Sequence, residues 1–297
     1  MSLRHPIVAI VGSSGAGTTT VRKALERICQ QENIHAAFVS GDSFHRLTRA
    51  EMQAAIADAE REGRRPPSHF GPEGNDLEAL DAFFASYGAS GRGKIRHYLH
   101  DRHDAKRHGG RVGGFTAWEK LPEGTDLLFY EGLHGAVKTG TLDISSHPDL
   151  LIGVVPTINL EWIQKIQRDS GIRGYSVEAV TDTILRRMYD YVHYIMPQFS
   201  RTHINFQRVP VVDTSNPFVA RDIPGPKESL VVIHLAEPNP RVDFLHLLSM
   251  IQGSFMSRPN TLVIPGGKMR LVLRMIMTPL IEALVENGRK ARADAST

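Results

Sequence analysis

The sequence predicts an α/β fold of three layers, with helices covering both faces of a mixed, mostly parallel central sheet. Three observations predict it. Short continuous apolar runs recur ("PIVAIV", "DLLFYEG", "DLLIGVVPT"), the pattern of strands buried on both faces. Segments with apolar residues at helical spacing alternate with these runs. The first run ends in a glycine-rich loop that opens straight into such a helix, giving a strand–loop–helix–strand unit that closes by a right-handed crossover into a parallel sheet.

Taken in order, Pro6–Val11 is a buried strand, and the helix over 18–30 carries apolar residues at Val21, Leu25 and Ile28. "NIHAAFVSGD" (33–42) is the second strand. A helix is expected over 49–62, then the Pro/Gly-rich loop "GRRPPSHFGPEGN", then a helix over 76–87. Residues 88–124, rich in Gly, Arg and His, lack periodicity and read as excursions over a site. Strands follow at 126–132 and 149–157, and helices at 158–171 and 176–196. "VPVVDTS" (209–215) and "SLVVIHL" (229–235) supply further strands. The tail holds a helix, the strand "NTLVIPG" and a last helix over 267–287. No linker divides the chain, so residues 1–297 are read as one domain.

A chain of 297 residues buries roughly three quarters of its unfolded surface, so it needs neither disulfide nor metal for stability. The formal charge of +3 is small and the basic residues are interspersed with acidic ones, which argues against a nucleic-acid groove. The single cysteine, Cys29, excludes an internal disulfide and fits a reducing compartment. The N-terminal apolar run is shorter than a signal-peptide core, and no segment approaches the ~20 apolar residues of a membrane span. A soluble, cytoplasmic protein with no membrane partner is expected.

Four stretches could carry chemistry. The loop "GSSGAGTTT" (Gly12, Ser13, Ser14, Gly15, Ala16, Gly17, Thr18, Thr19 and Thr20) lies between strand and helix, where converging backbone N–H groups and the helix N-terminus favour phosphate. It follows the spacing G-x-x-x-x-G-K-[ST], with Thr19 at the position that ligates Mg²⁺ but Thr18 in place of lysine. Read alone, it is either a phosphate cradle or an ordinary Gly/Ser turn. Glu131, at the end of a buried strand, is either an acid of a Mg²⁺ site or a solvated strand-end carboxylate. Asp42, in "GDSFHR", is either a proton acceptor with His45 and Arg49 beside it or the cap of the next turn.

Lys165 and Arg168 share a helix face, with Arg173 just beyond, and could lie over phosphate oxygens. The alternative is a solvated i,i+4 pair between Lys165 and Asp169. His97, His100 and His103 recur every third residue, but no cysteine accompanies them and no pattern supplies four zinc ligands. Trp118 and Trp162 read as packing residues.

Together these residues resemble a family. "GSSGAGTTTV", "EGLHGAV", "GVVPTINLEWIQKIQRD", "AVTDTILRRM" and "PQFSRTHINFQRVPVVDTSNPF" resemble the bacterial-class phosphoribulokinases, P-loop kinases of the phosphoribulokinase/uridine kinase family, from Pro6 to about Leu284. The resemblance implies a P-loop nucleoside-triphosphatase-like fold, ATP and Mg²⁺ as cofactors, and D-ribulose 5-phosphate as acceptor. It implies Asp42 as general base, Glu131 and Asp169 as acids of the Mg-ATP site, and Lys165 and Arg168 as cations on the transferring phosphoryl. His45, Arg49 and Arg173 resemble sugar-phosphate contacts, and Tyr98 and His100 line the same cleft. The missing loop lysine is a feature of that family. Its members are homo-oligomers activated by NADH and inhibited by AMP. Arg186 and Arg187 match that effector pattern, whereas Gln31 stands where an arginine is expected.

Competing readings are a uridine-kinase-like nucleoside kinase, a silent nucleotide-binding regulator, and a paralogue with another sugar acceptor. Retention of Asp42, Glu131, Lys165 and Asp169 argues against the regulator, which has no use for a base. Because phosphoryl transfer depends on positioning and cations, the loop needs a substitute charge, either local Arg22 or distal Lys165. The resemblance favours Lys165. Lys165→Met is therefore expected to collapse kcat with little change in ATP binding, and Arg22→Met to be milder; the reverse order in steady-state kinetics would overturn the assignment.

Overall fold

Strand β1 (Ile7–Val11) exposes none of its five residues, as only a strand covered on both faces can. The computed structural model describes residues 4–13, 15–171, 174–220 and 222–295. After β1 come α1 (Thr18–Gln31), β2 (Ala36–Ser40), α2 (Arg49–Arg61) and α3 (Leu77–Ser90). Next are β3 (Lys94–Ile95), α4 (Arg102–His108), β4 (Glu119–Lys120), β5 (Leu127–Gly132) and β6 (Leu150–Val155). Helices α5 (Ile158–Gly171), α6 (Val177–Arg186) and the short turn α7 (Met188–Asp190) lead to β7 (Ile204–Pro210) and β8 (Ser229–Leu235). The chain ends with α8 (Phe244–Met250), β9 (Phe255–Arg258), β10 (Thr261–Pro265) and α9 (Met269–Asp294).

The main sheet has the order β2-β5-β1-β6-β7-β8-β10-β9. Pairing is parallel from β2 to β7 and antiparallel from β7 onward, so the mixed sheet expected from the sequence is present. Alternation along β1 assigns its two faces. Val8 and Ile10 pack with Val21, Leu25 and Ile28 of α1 and Ile276 and Ile281 of α9. Ile7, Ala9 and Val11 pack with Leu80, Phe84 and Tyr87 of α3. Each fully buried large side chain contributes roughly 1.5–3 kcal/mol. Two such cores, one per face, hold the sheet flat against its helices.

Some elements differ from expectation, each for a physical reason. The strand placed at 209–215 lies instead at β7, where Ile204 and Phe206 are buried and Asn205 and Gln207 alternate with them. Beyond Pro210 the Asp213 and Asn216 carboxyl and amide oxygens accept from the backbone N–H of Ser215 and Phe218, local bonds that compete with a ladder. The single helix expected over 176–196 breaks into α6, α7, a π-turn (Tyr191–Ile195) and a 3₁₀ turn (Met196–Ser200). Pro197 cannot donate to a continuing ladder, and buried Asp190 is held by Ser68 (2.6 Å) and Arg65. Edge strand β9 was not anticipated, since three of its four residues are exposed and carry no burial pattern.

Helix α9 runs past the expected end at Asn287 because its last turns have a partner. Asp126, beside the start of β5, accepts from Arg289 (2.8 and 2.7 Å), Arg292 (3.3 Å) and the His35 backbone N–H (3.0 Å). Burial alone would raise the Asp126 pKa, but the Arg289 hydrogen bonds outweigh it and hold the carboxyl below its usual range. A depressed native pKa gives stability that is complete above the unfolded value of about 4 and is lost as pH falls through the native one. Arg289 is half exposed, so the effect is on the order of 1 kcal/mol. Asp126→Asn is expected to lower urea-measured stability by about that amount at neutral pH, with the difference shrinking as pH falls below about 4; a pH-independent difference would contradict it.

Candidate active site

The carboxyl ends of β1, β5 and β2 end level with one another, because Glu131 registers with Ile10 on one side and Ser40 on the other. Above them lies a cleft of about 840 Å³ lined by Gly12, the loop from Gly15 to Thr20, Asp42, Glu131, Glu161 and Arg168. Ligands of open α/β sheets bind in this position.

The loop has the backbone of an anion cradle. A Cβ on Gly12 would lie 2.7 Å from Thr18 Cγ2 and 2.9 Å from the Val154 carbonyl, so the first position admits only glycine. Gly15 (φ 117°) and Gly17 (φ 104°) occupy left-handed conformations. Gly17 leads into α1 without any side-chain cap, leaving the first N–H groups of the helix facing the cleft. Thr18 is buried against Gly12, whereas Thr19 and Thr20 are exposed. The side chain in the lysine position is thus a packing group. Ser14 and Arg173 lie outside the described residues.

Two groups at this end were not anticipated. Glu161, on α5, is buried and accepts from the hydroxyls of fully buried Ser13 and of Tyr191 (3.2 Å). Burial raises its pKa above the ordinary range, against the pull of those hydrogen bonds. The π-turn brings Tyr191 to it, so the break after α6 serves the site. The one sequence signal was the i,i+4 spacing of Glu161 and Lys165 on a common face.

Both candidate cations are present, differently engaged. Arg22 binds Glu26 (2.8 Å) and reaches Glu131 at 3.4 Å. Lys165 and Arg168 both bind Asp169, at 2.7 and 2.9 Å. The Lys165–Asp169 pair does form, but with side chains only 12% and 7% exposed it is not a solvated one. Burial, with Arg187 and Arg168 nearby, lowers the Lys165 pKa despite the Asp169 bond. Burial would raise the Asp169 pKa, yet Arg168 and Lys165 hold it low. Arg168 lines the cleft directly, whereas Lys165 is not part of its wall.

Asp42 sits in a 3₁₀ turn (Gly41–Phe44) after β2, and its two oxygens bind His45 Nε2 (3.0 Å) and His100 Nε2 (2.8 Å). Burial would raise its pKa, but hydrogen bonds from His100 and His45 outweigh this and hold it far below the usual carboxylate range. A capping box of Thr48 and Glu51 starts α2 and fixes Arg49, whose guanidinium donates to the His100 carbonyl (2.7 Å). Tyr98 stands edge-on to His45 and His100, with ring centroids at 5.7 and 4.9 Å. Asp42, His45, Arg49, Tyr98 and His100 are therefore one cluster.

The three spaced histidines separate: His97 binds Glu119 (2.9 Å) while His100 binds Asp42. Trp162 packs on the α5–α6 core and against Phe218. Trp118 packs beside Phe44, with the Arg96 guanidinium over its ring. Arg186 and Arg187 point apart. Arg186 lies 3.5 Å from Glu60, whereas Arg187 lies over Phe70 and its charge is felt at Lys165 and His69.

The family model for the phosphoribulokinase/uridine kinase family matches residues 7–215. A chromosomal phosphoribulokinase of Cupriavidus necator is 58% identical over 291 residues, covering 98% of this chain and 99% of that protein. The probable phosphoribulokinase of Escherichia coli K12 is 56% identical over 290 residues, covering 98% of this chain and 99% of that protein. The structure of phosphoribulokinase from Rhodobacter spheroides superposes with a TM-score of 0.89 at 50% identity, over 97% of this chain and 100% of that one. With the glycine loop, the strand-end acids and the Asp42 cluster in one cleft, the chain belongs to the phosphoribulokinase/uridine kinase family.

Proposed function

We propose that this chain is a phosphoribulokinase, transferring the γ-phosphoryl of Mg-ATP to the 1-hydroxyl of D-ribulose 5-phosphate. One observation carries the reading: Asp42 lines the nucleotide cleft and is bound to the histidines of the acceptor cluster, so a single carboxylate joins both substrate sites. ATP phosphates lie on the backbone N–H groups of Gly15, Gly17, Thr18 and Thr19, at the start of α1.

Mg²⁺ prefers oxygen ligands and keeps several waters, so few protein groups are needed. Exposed Thr19 and half-buried Glu131, both on the cleft wall, fit it. Asp169 is the third candidate ligand, but its oxygens accept from Lys165 and Arg168, which suits it better to holding those cations. Bound there, Mg²⁺ neutralises phosphate charge. Arg168, on the wall, and Lys165 are aimed by Asp169 at the end of the cleft where the γ-phosphoryl lies.

The acceptor hydroxyl donates to Asp42, and its proton passes to an Asp42 oxygen as the new O–P bond forms and the bond to ADP breaks. A carboxylate held at low pKa is a weak base, which suffices because a loose transition state demands the proton late. His45, Arg49, Tyr98 and His100 face the sugar phosphate, and the family resemblance alone adds Arg173 to that set. Effector control by NADH and AMP through Arg186 and Arg187 belongs to the same reading, as does assembly into a homo-oligomer. Among the described residues no helix is long and apolar enough to cross a membrane.

Asp42→Asn is expected to lower kcat by about 10²–10⁴-fold while both substrates still bind; near-normal turnover would remove Asp42 as the base. In a coupled ADP-release assay ribulose 5-phosphate should far exceed uridine and other pentose phosphates, and activity with uridine alone would overturn the reading. NADH should raise the rate in the same assay; no response would retire the effector assignment.

A further inference from the structure

Asn75 ends the loop over 63–75 and pairs with His45 across an isolated antiparallel bridge. Its side chain is buried, and its amide N–H₂ donates to the carbonyl oxygens of Gly71 (2.7 Å) and His69 (2.9 Å). Two carbonyl acceptors leave one orientation for the amide, since the reverse would set its oxygen against two others. Asn75 Oδ1 therefore faces His45 Nδ1 at 2.9 Å as an acceptor, and Nδ1 must carry a proton. At the other edge of the ring, Nε2 lies 3.0 Å from Asp42 Oδ1, a contact that needs a second proton because a carboxylate only accepts.

We propose that Asn75 is a positioning residue that holds His45 as an imidazolium, its Nε2–H directed at Asp42 so that the base keeps one carboxylate orientation. The inference rests on the reading of Asp42 as general base. The surroundings of the ring support it. His69, from the same loop, lies 4.3 Å away between centroids with its ring tilted by 34°; burial first, and the His45 charge second, hold it at about 2, so this neighbouring ring stays neutral. Tyr98 approaches edge-on, and Arg96 donates to the His45 backbone carbonyl (2.6 Å), away from the ring nitrogens. Apart from Asp42, with His100 on its far oxygen, no acidic group pairs with the ring among the described residues.

Without the Asn75 oxygen, a neutral ring with its proton on Nε2 satisfies Asp42 equally well in number of bonds. The cluster then loses one positive charge, and a charge-assisted bond becomes an ordinary one of roughly half the strength. Orientation of the base loosens with it. ATP binding, on the loop side of the cleft, is not touched.

The test uses full-length protein with ¹⁵N-labelled histidine rings, the His45 signals being assigned by their loss in His45→Gln. Wild-type protein at neutral pH should show both His45 ring nitrogens protonated. One bare nitrogen there would overturn the proposal without recourse to any variant. Asn75→Leu should convert Nδ1 to a bare nitrogen and lower kcat about tenfold, with KM for ATP unchanged. An unaltered imidazolium in that variant would equally overturn it. Asn75→Asp, which keeps an acceptor oxygen, should retain both protons and more of the activity than Asn75→Leu; a bare nitrogen there would count against the acceptor role. The ring spectrum does not depend on turnover, so it stands even if Asp42→Asn were to remove Asp42 as the base.

Discussion

The parallel register of β2, β5 and β1 is the constraint on which the site depends. Ser40, Glu131 and Ile10 lie side by side in that register, so the glycine loop, the strand-end acid and the Asp42 turn emerge at one height. Two hydrophobic cores on opposite faces of the sheet hold it there, and no strand can shift by one residue without exchanging the side chains that fill one core with those that fill the other. The groups proposed for catalysis thus inherit their precision from the packed interior of these strands. The acceptor cluster is attached to the same frame by Asn75, Arg96 and Arg49, which bind backbone oxygens of neighbouring loops.

Charge is arranged around the absence of the loop lysine. Thr18 fills its place with a packed side chain beside Gly12. The positive charge proposed to replace it lies on α5, where Asp169 gathers Lys165 and the half-buried Arg168. Breaking such a triad on one side leaves an uncompensated charge, so it holds its members firmly. Arg22 is divided between Glu26 and Glu131, which favours the distal cations for the phosphoryl group.

What was legible in the sequence was whatever one segment specifies alone. The glycine loop, Glu131 and Asp42 each sit at the end of an apolar strand, and strand ends are visible as changes in local pattern. Asn75, Glu161 and Tyr191 were not visible because tertiary structure alone brings a Pro/Gly-rich loop, a helix face and a π-turn to the cleft. Strand β7 was displaced in the reading because its polar positions, Asn205 and Gln207, mask the alternation, whereas exposed Val211 and Val212 imitate a strand. The spacing of Lys165 and Asp169 was legible, but its burial was not: sequence periodicity cannot distinguish a solvated pair from one covered by neighbouring segments.

The central claim is that Asp42 joins two substrate sites and that α5 supplies the missing cation. A crystal structure with Mg²⁺, a non-hydrolysable ATP analogue and ribulose 5-phosphate tests both at once. The account predicts the acceptor 1-hydroxyl within hydrogen-bond distance of Asp42 and Lys165 Nζ on the γ-phosphate oxygens. A hydroxyl bound elsewhere, or Arg22 on the γ-phosphate with Lys165 still on Asp169, would contradict it.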